Sequence, residues 1–185
     1  FTLTSVRYPD PVTSLRLGGV DVLLLWRIGK LRPKESDQQW LSPQLQHQLD
    51  SYVRRGGGVL AIHGGVASHP REGAFRALLG GHFTEHPPEH VELTVTPTSD
   101  NPAASGVTPF TAPDEHYNVD LDLDVSHAFT ISSVFGESAG GWTKRVGEGR
   151  VAVILPGHTP EMLRLDGYRD AVLQALRWCA NMQLD

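Results

Sequence analysis

The sequence predicts an α/β fold of three layers: a mostly parallel sheet, helices on both faces, and an antiparallel-rich insertion. Three observations carry this. Residues 20–26 and 59–62 are short, nearly continuous apolar runs, as strands covered on both faces are. A capped amphipathic helix lies between them, and a strand–helix–strand unit closes as a right-handed parallel crossover. Farther along, apolar and polar residues alternate with period two, the pattern of half-buried antiparallel strands.

The elements follow in order. Residues 1–7 alternate Phe, Leu and Ser with Thr and Val and read as a strand, broken at Tyr8-Pro9-Asp10-Pro11. Residues 12–17 suggest a short helix ended by Gly18-Gly19. Residues 20–26 form the first apolar strand, and a polar loop runs on to Asp37. Ser42-Pro43 supplies a cap and a first-turn proline for a helix. Its buried face would carry Leu45, Leu49, Tyr52 and Val53, and Gly56 stops it. The strand 59–62 then runs into His63 and a Gly64-Gly65 turn. A short helix spans 72–79, and 81–90 reads as an extended loop because Pro87-Pro88 forbids a helix. Residues 89–97 alternate as a strand, 99–113 read as a long surface connection, and Asp alternates with Leu and Val over 120–124. Strands follow at 129–135, 142–146 and 151–155, the last two joined by a Gly147-Glu148-Gly149 hairpin. A broad apolar face over 167–182 closes the chain as a helix. No linker divides the 185 residues, which suits one domain.

Composition narrows the function. A net charge of -5 without a basic run argues against nucleic acid as a partner. No apolar stretch reaches the roughly 20 residues that span a bilayer, which argues against a membrane. The sole cysteine, Cys179, falls in the last helix, and a reducing, cytoplasmic compartment is favoured. There is no dinucleotide or P-loop glycine pattern and no serine-hydrolase elbow.

Histidine stands out, with nine in the chain. In open α/β sheets ligands bind beyond the carboxyl ends of the strands. His63 ends one apolar strand and His158 follows another, so the two imidazoles can converge in one crevice as acid, base or metal ligand. Asp114-Glu115-His116-Tyr117 sets paired carboxylates beside an imidazole, suited to acid/base work or to completing a metal site. The segment 81–90 holds His82, His86 and His90 with Glu85 and Glu89. Zinc is compatible with these ligand types, but the spacing matches no helical zinc motif.

With these residues assembled, the chain resembles the trehalose-utilisation, ThuA-like family. The motifs are Leu49-x-x-Tyr52-Val53-x-x-Gly56-Gly57-Gly58-x-x-x-Ile62-His63, Gly80-Gly81-x-Phe83-x-x-His86-Pro87 and Asp114-Glu115-x-Tyr117. Gly147-x-Gly149-Arg150-Val151, Gly157-His158-Thr159 and Arg177-Trp178 complete the set. The resemblance implies a flavodoxin-like fold of the class I glutamine amidotransferase kind. It places His63 where those enzymes carry a nucleophilic cysteine, which implies that amidotransferase activity is absent. It also implies one further strand and helix upstream of this chain.

The resemblance further implies a sugar substrate, trehalose or a related disaccharide, in ordinary or 3-keto form. His63, His158 and Glu115 are then expected to be catalytic, through proton transfer next to a carbonyl. His86, Asp114, Tyr117 and Trp142 are expected to bind substrate. His82 and His86 are the candidate ligands of a divalent metal such as zinc. Trp26 is expected to serve core packing more than sugar stacking. A metal-dependent hydrolase and a non-catalytic sugar-binding module stay open as alternatives, and a homo-oligomer is compatible with the sequence.

Overall fold

The computed structural model describes residues 2–3 and 17–182, and the strand expected at 1–7 and the helix at 12–17 fall almost wholly outside them. Strand β1 is Val22–Leu25, helix α1 Pro43–Arg54 and strand β2 Gly58–Ile62. Helix α2 (Ala74–Leu79) leads to β3 (Gly81–Glu85), β4 (Val91–Pro97), β5 (Phe110–Asp114) and β6 (Asn118–Leu121). Then come β7 (Ser126–Ser133), β8 (Gly136–Val146), β9 (Gly149–Ile154), α3 (Pro160–Arg164) and α4 (Asp166–Cys179).

Local chemistry explains the helix ends. The Ser42 hydroxyl accepts from the Leu45 amide at 3.3 Å and Pro43 opens α1. Thr159 caps α3 in the same way. Strand β2 is buried along its whole length, and its alternation sorts side chains between two cores. Val59 and Ala61 join Leu45, Leu49, Tyr52 and Val53 of α1. Leu60 and Ile62 join Ala171, Ala175, Trp178 and Cys179 of α4. The parallel strands are thus covered by a helix on each face. The Cys179 thiol reaches the Val59 carbonyl, and burial pushes it up to about 12.

The main sheet runs β1-β2-β9-β8-β7-β4-β5, and β3 pairs with β6 in a separate two-stranded sheet. Only β1–β2 and β2–β9 are parallel among the described residues. The pairings of β9 with β8, β8 with β7, β7 with β4 and β4 with β5 are antiparallel. The sheet is therefore mixed rather than mostly parallel. The expected insertion is not an appendage, because its strands β4, β5, β7 and β8 extend the same sheet from the β9 edge. Two expected loops contain strands. Residues 81–85 pair with β6, and the surface connection 99–113 includes most of β5.

Three strands, β8, β7 and β4, separate β9 from the edge strand β5. Even so, Asp114 at the end of β5 bonds the backbone just beyond β9. The sheet must curl for this to happen. The curl brings its far edge back over the carboxyl ends of the parallel strands. No helix among the described residues is long and apolar enough to cross a membrane.

Candidate active site

His63 sits where β2 turns into a short 3-10 turn, His63–Val66. Its φ is 45°, a left-handed conformation that costs a non-glycine residue energy and often marks a functional position. Gly65 makes the turn possible, since a Cβ there would strike the Leu25 carbonyl at the end of β1. The His63 Nδ1–H donates to the Leu155 carbonyl at 3.0 Å. In the neutral ring this leaves the Nε2 lone pair facing the crevice. Burial disfavours its charged form and lowers its pKa, although the Leu155 carbonyl, Asp114 and Glu115 oppose that effect.

Three groups meet at this Nε2. His158 Nδ1 lies at 3.1 Å, the Tyr117 hydroxyl at 3.2 Å and Glu115 Oε2 at 3.3 Å. Glu115 Oε2 also lies 3.4 Å from His158 Nδ1, which closes a triangle. The other carboxylate oxygen faces His90 Nε2 at 3.7 Å and His86 Nε2 at 3.9 Å. One carboxylate therefore collects imidazoles on both oxygens. Its own side chain is only 11% exposed, whereas that of His158 is 43% exposed and reachable from solvent. The rings pack as well: His86 stacks on Tyr117 and His90 meets His158 edge-on. Burial and the neighbouring carboxylates raise the Tyr117 pKa, so its hydroxyl stays protonated and can donate.

The structure thus brings together His63, His158, Glu115, Tyr117 and His86 of the expected residues. Three others it places elsewhere. Asp114 is fully buried and turns inward, accepting from the amides of Glu115, Gly157 and His158. Trp142 is also fully buried, and its Nε1–H donates to the Leu79 carbonyl at 2.7 Å. It cannot stack on a ligand from solvent. Trp26, expected to serve core packing, is 44% exposed beyond the end of β1. His82, expected beside His86 as a metal ligand, is not among the imidazoles that face Glu115. It lies opposite Asp120 on β6, and burial together with the Arg71 and Arg76 cations lowers its pKa.

Sequence reasoning counts His90 in the 81–90 cluster but assigns it no role at the site. The signal is the Pro87-Pro88 turn, which returns the chain so that His86 and His90 reach the same oxygen. Of the histidines in the 81–90 cluster, His86 and His90 face Glu115. His116 alternates away from the site, toward the Ser133 and Ser138 hydroxyls of the β7–β8 hairpin.

The sequence profile described as ThuA, trehalose utilisation, matches residues 1–179. The chain belongs to the ThuA family. A ThuA-like protein of Parabacteroides merdae superposes with a TM-score of 0.69 at 16% identity, over 90% of this chain and 72% of that one. A cytoplasmic protein of Salmonella typhimurium gives 0.66 at 16% identity, over 88% and 73%. A β-galactosidase from Rahnella sp. R3 gives 0.64 at 15% identity, over 91% of this chain but only 24% of that one. At these identities the likeness is one of fold, and the chain spans about a quarter of that β-galactosidase. No curated protein matches the sequence.

Proposed function

We propose that this ThuA-family chain is a carbohydrate-active enzyme. Its substrate would be a sugar of the trehalose or related disaccharide class in its 3-keto form, and it would work by proton transfer beside that carbonyl. The observation that carries the reading is the meeting of Glu115 with His63 and His158 at 3.3 and 3.4 Å. The helix-covered parallel strands support a flavodoxin-like reading of the scaffold.

In this reading Glu115 removes a proton from the carbon next to the sugar carbonyl. His158, the exposed imidazole, donates a hydrogen bond to the carbonyl oxygen as negative charge develops there. Glu115 returns the proton to the former carbonyl carbon, while His158 gives a proton to the former carbonyl oxygen and takes the one on the adjacent hydroxyl, which completes an isomerisation. His63 backs both groups with a ring fixed by Leu155, and Tyr117 donates to its Nε2. His86 and His90 line the opposite side of Glu115, where sugar hydroxyls can bond. The test is product analysis after incubation with disaccharides and their 3-keto forms. Turnover that falls at least about a hundredfold in Glu115→Gln supports the reading. Binding without turnover, unchanged by that variant, supports a sugar-binding module instead.

A second reading rests on its own observation. His63 Nε2, His158 Nδ1 and Glu115 Oε2 are 3.1, 3.3 and 3.4 Å apart. A tetrahedron with zinc–ligand bonds of about 2.0–2.1 Å has edges of about 3.3–3.4 Å. The trio would then be three ligands of a divalent ion, with a fourth position open to activate water. Cobalt(II) titration distinguishes the two. Intense tetrahedral absorption bands that vanish in His63→Ala favour the metal; octahedral, buffer-like cobalt favours proton transfer.

A further inference from the structure

We infer that Asp114 is a positioning residue, the tie that holds the far edge of the curled sheet against the loop after β9 and so assembles the Glu115–His63–His158 cluster. The inference rests on reading that cluster as the working centre. Asp114 touches no ligand-accessible space, being fully buried at the end of the edge strand. Its Oδ2 accepts from Gly157 at 2.9 Å and from His158 at 3.2 Å, and its Oδ1 accepts from His158 at 3.2 Å and from Glu115 at 2.7 Å. The three amides therefore belong to the two segments that supply Glu115 and His158.

The local backbone is shaped for this carboxylate. Gly157 has φ 139°, a value that L side chains rarely adopt, and it turns consecutive amides toward one acceptor. Beside this tie the Thr159 hydroxyl donates to the Pro113 carbonyl at 2.5 Å. Without these bonds nothing in the strand order requires β5 to meet the β9 loop, since three strands intervene. A carboxylate suits the task because both oxygens accept. An asparagine of the same shape would turn its NH2 toward one of the amides and repel it. Asp114→Asn should therefore fail to hold the seam although it fills the same space.

The test is the imidazole region of the NMR spectrum, with long-range proton–nitrogen correlations on labelled protein. Asp114→Asn and Asp114→Ala should remain folded by circular dichroism. The ring signals of His63 and His158 should shift, and the fixed Nδ1–H form of His63 should be lost. Exposed His47 and His127 should stay in place. A folded variant whose His63 and His158 signals equal those of the parent overturns the proposal. A residue serving stability alone would lower the melting temperature and leave those rings unchanged. If neither variant folds, amide exchange in the parent decides. Slow exchange at Gly157 and His158 supports the tie, and exchange as fast as at exposed loop amides overturns it. Neither measurement involves turnover, so the result stands apart from the fate of the proposed reaction.

Discussion

Acid should weaken this fold through one ring outside the candidate site. His69 packs against Phe75, with ring centroids 4.4 Å apart, and edge-on to Trp40. Its Nε2 is buried with no hydrogen-bond partner, so a proton placed there would be unsatisfied. Burial accordingly lowers its pKa to about 4, only partly opposed by the Gly65 carbonyl and reinforced by His82. The unfolded ring takes up a proton near pH 6.5. Between these two values the unfolded chain binds a proton that the folded chain refuses. Stability is therefore complete above about pH 6.5, falls as pH drops, and levels off below about 4. At ~1.4 kcal/mol per pH unit the gap is worth about 3 kcal/mol. The perturbation is His69→Phe, which cannot titrate. Urea unfolding of parent and variant from about pH 7 to pH 4 measures the difference in slope, and shared carboxylate effects cancel in it. The parent should lose about 3 kcal/mol more than the variant across that range. Parallel curves would refute the reasoning, whatever the variant's stability at neutral pH.

Three further outcomes test the packing that supports the site. Trp142→Phe should cost about 2–4 kcal/mol in urea unfolding, because it empties part of a fully buried site and orphans the Leu79 carbonyl. The His63 and His158 ring signals should not change; a neutral effect on stability with altered rings would show that Trp142 belongs to the site after all. Gly157→Ala should cost about 2–5 kcal/mol, since its Cβ would meet the Tyr168 hydroxyl at 2.5 Å on a backbone with φ 139°. A loss within about 0.5 kcal/mol would mean that the loop relaxes freely. Ser42→Ala removes the cap of α1 and should lower stability by about 1 kcal/mol, and an unchanged melting temperature would count against that cap.

Much of the fold is legible in the residues, and the reason is local. The capped helix at Ser42-Pro43, the all-apolar β2 and the hairpin at Gly147 are each specified by neighbouring residues, and each forms where expected. The proximity of His63 and His158 is legible too, because β2 and β9 are adjacent parallel strands whose ends must coincide. What the sequence hides is the curl. Nothing local says that β5 returns to the end of β9 across three intervening strands, so the inward turn of Asp114 is invisible, as is the approach of His90. Tryptophan burial is equally non-local: Trp26 ends an apolar run yet is exposed, whereas Trp142, between glycines and polar residues, is covered. The strand at 81–85 escapes notice because its partner, β6, lies more than thirty residues away.

The single thiol has a practical consequence. Cys179 lies against β2 in the innermost layer, bonded to Val59 and held as the unreactive neutral form. No alkylating reagent can reach it while α4 stays docked. The rate at which it is modified under native conditions therefore clocks the undocking of the last helix, a native reporter that needs no engineered label.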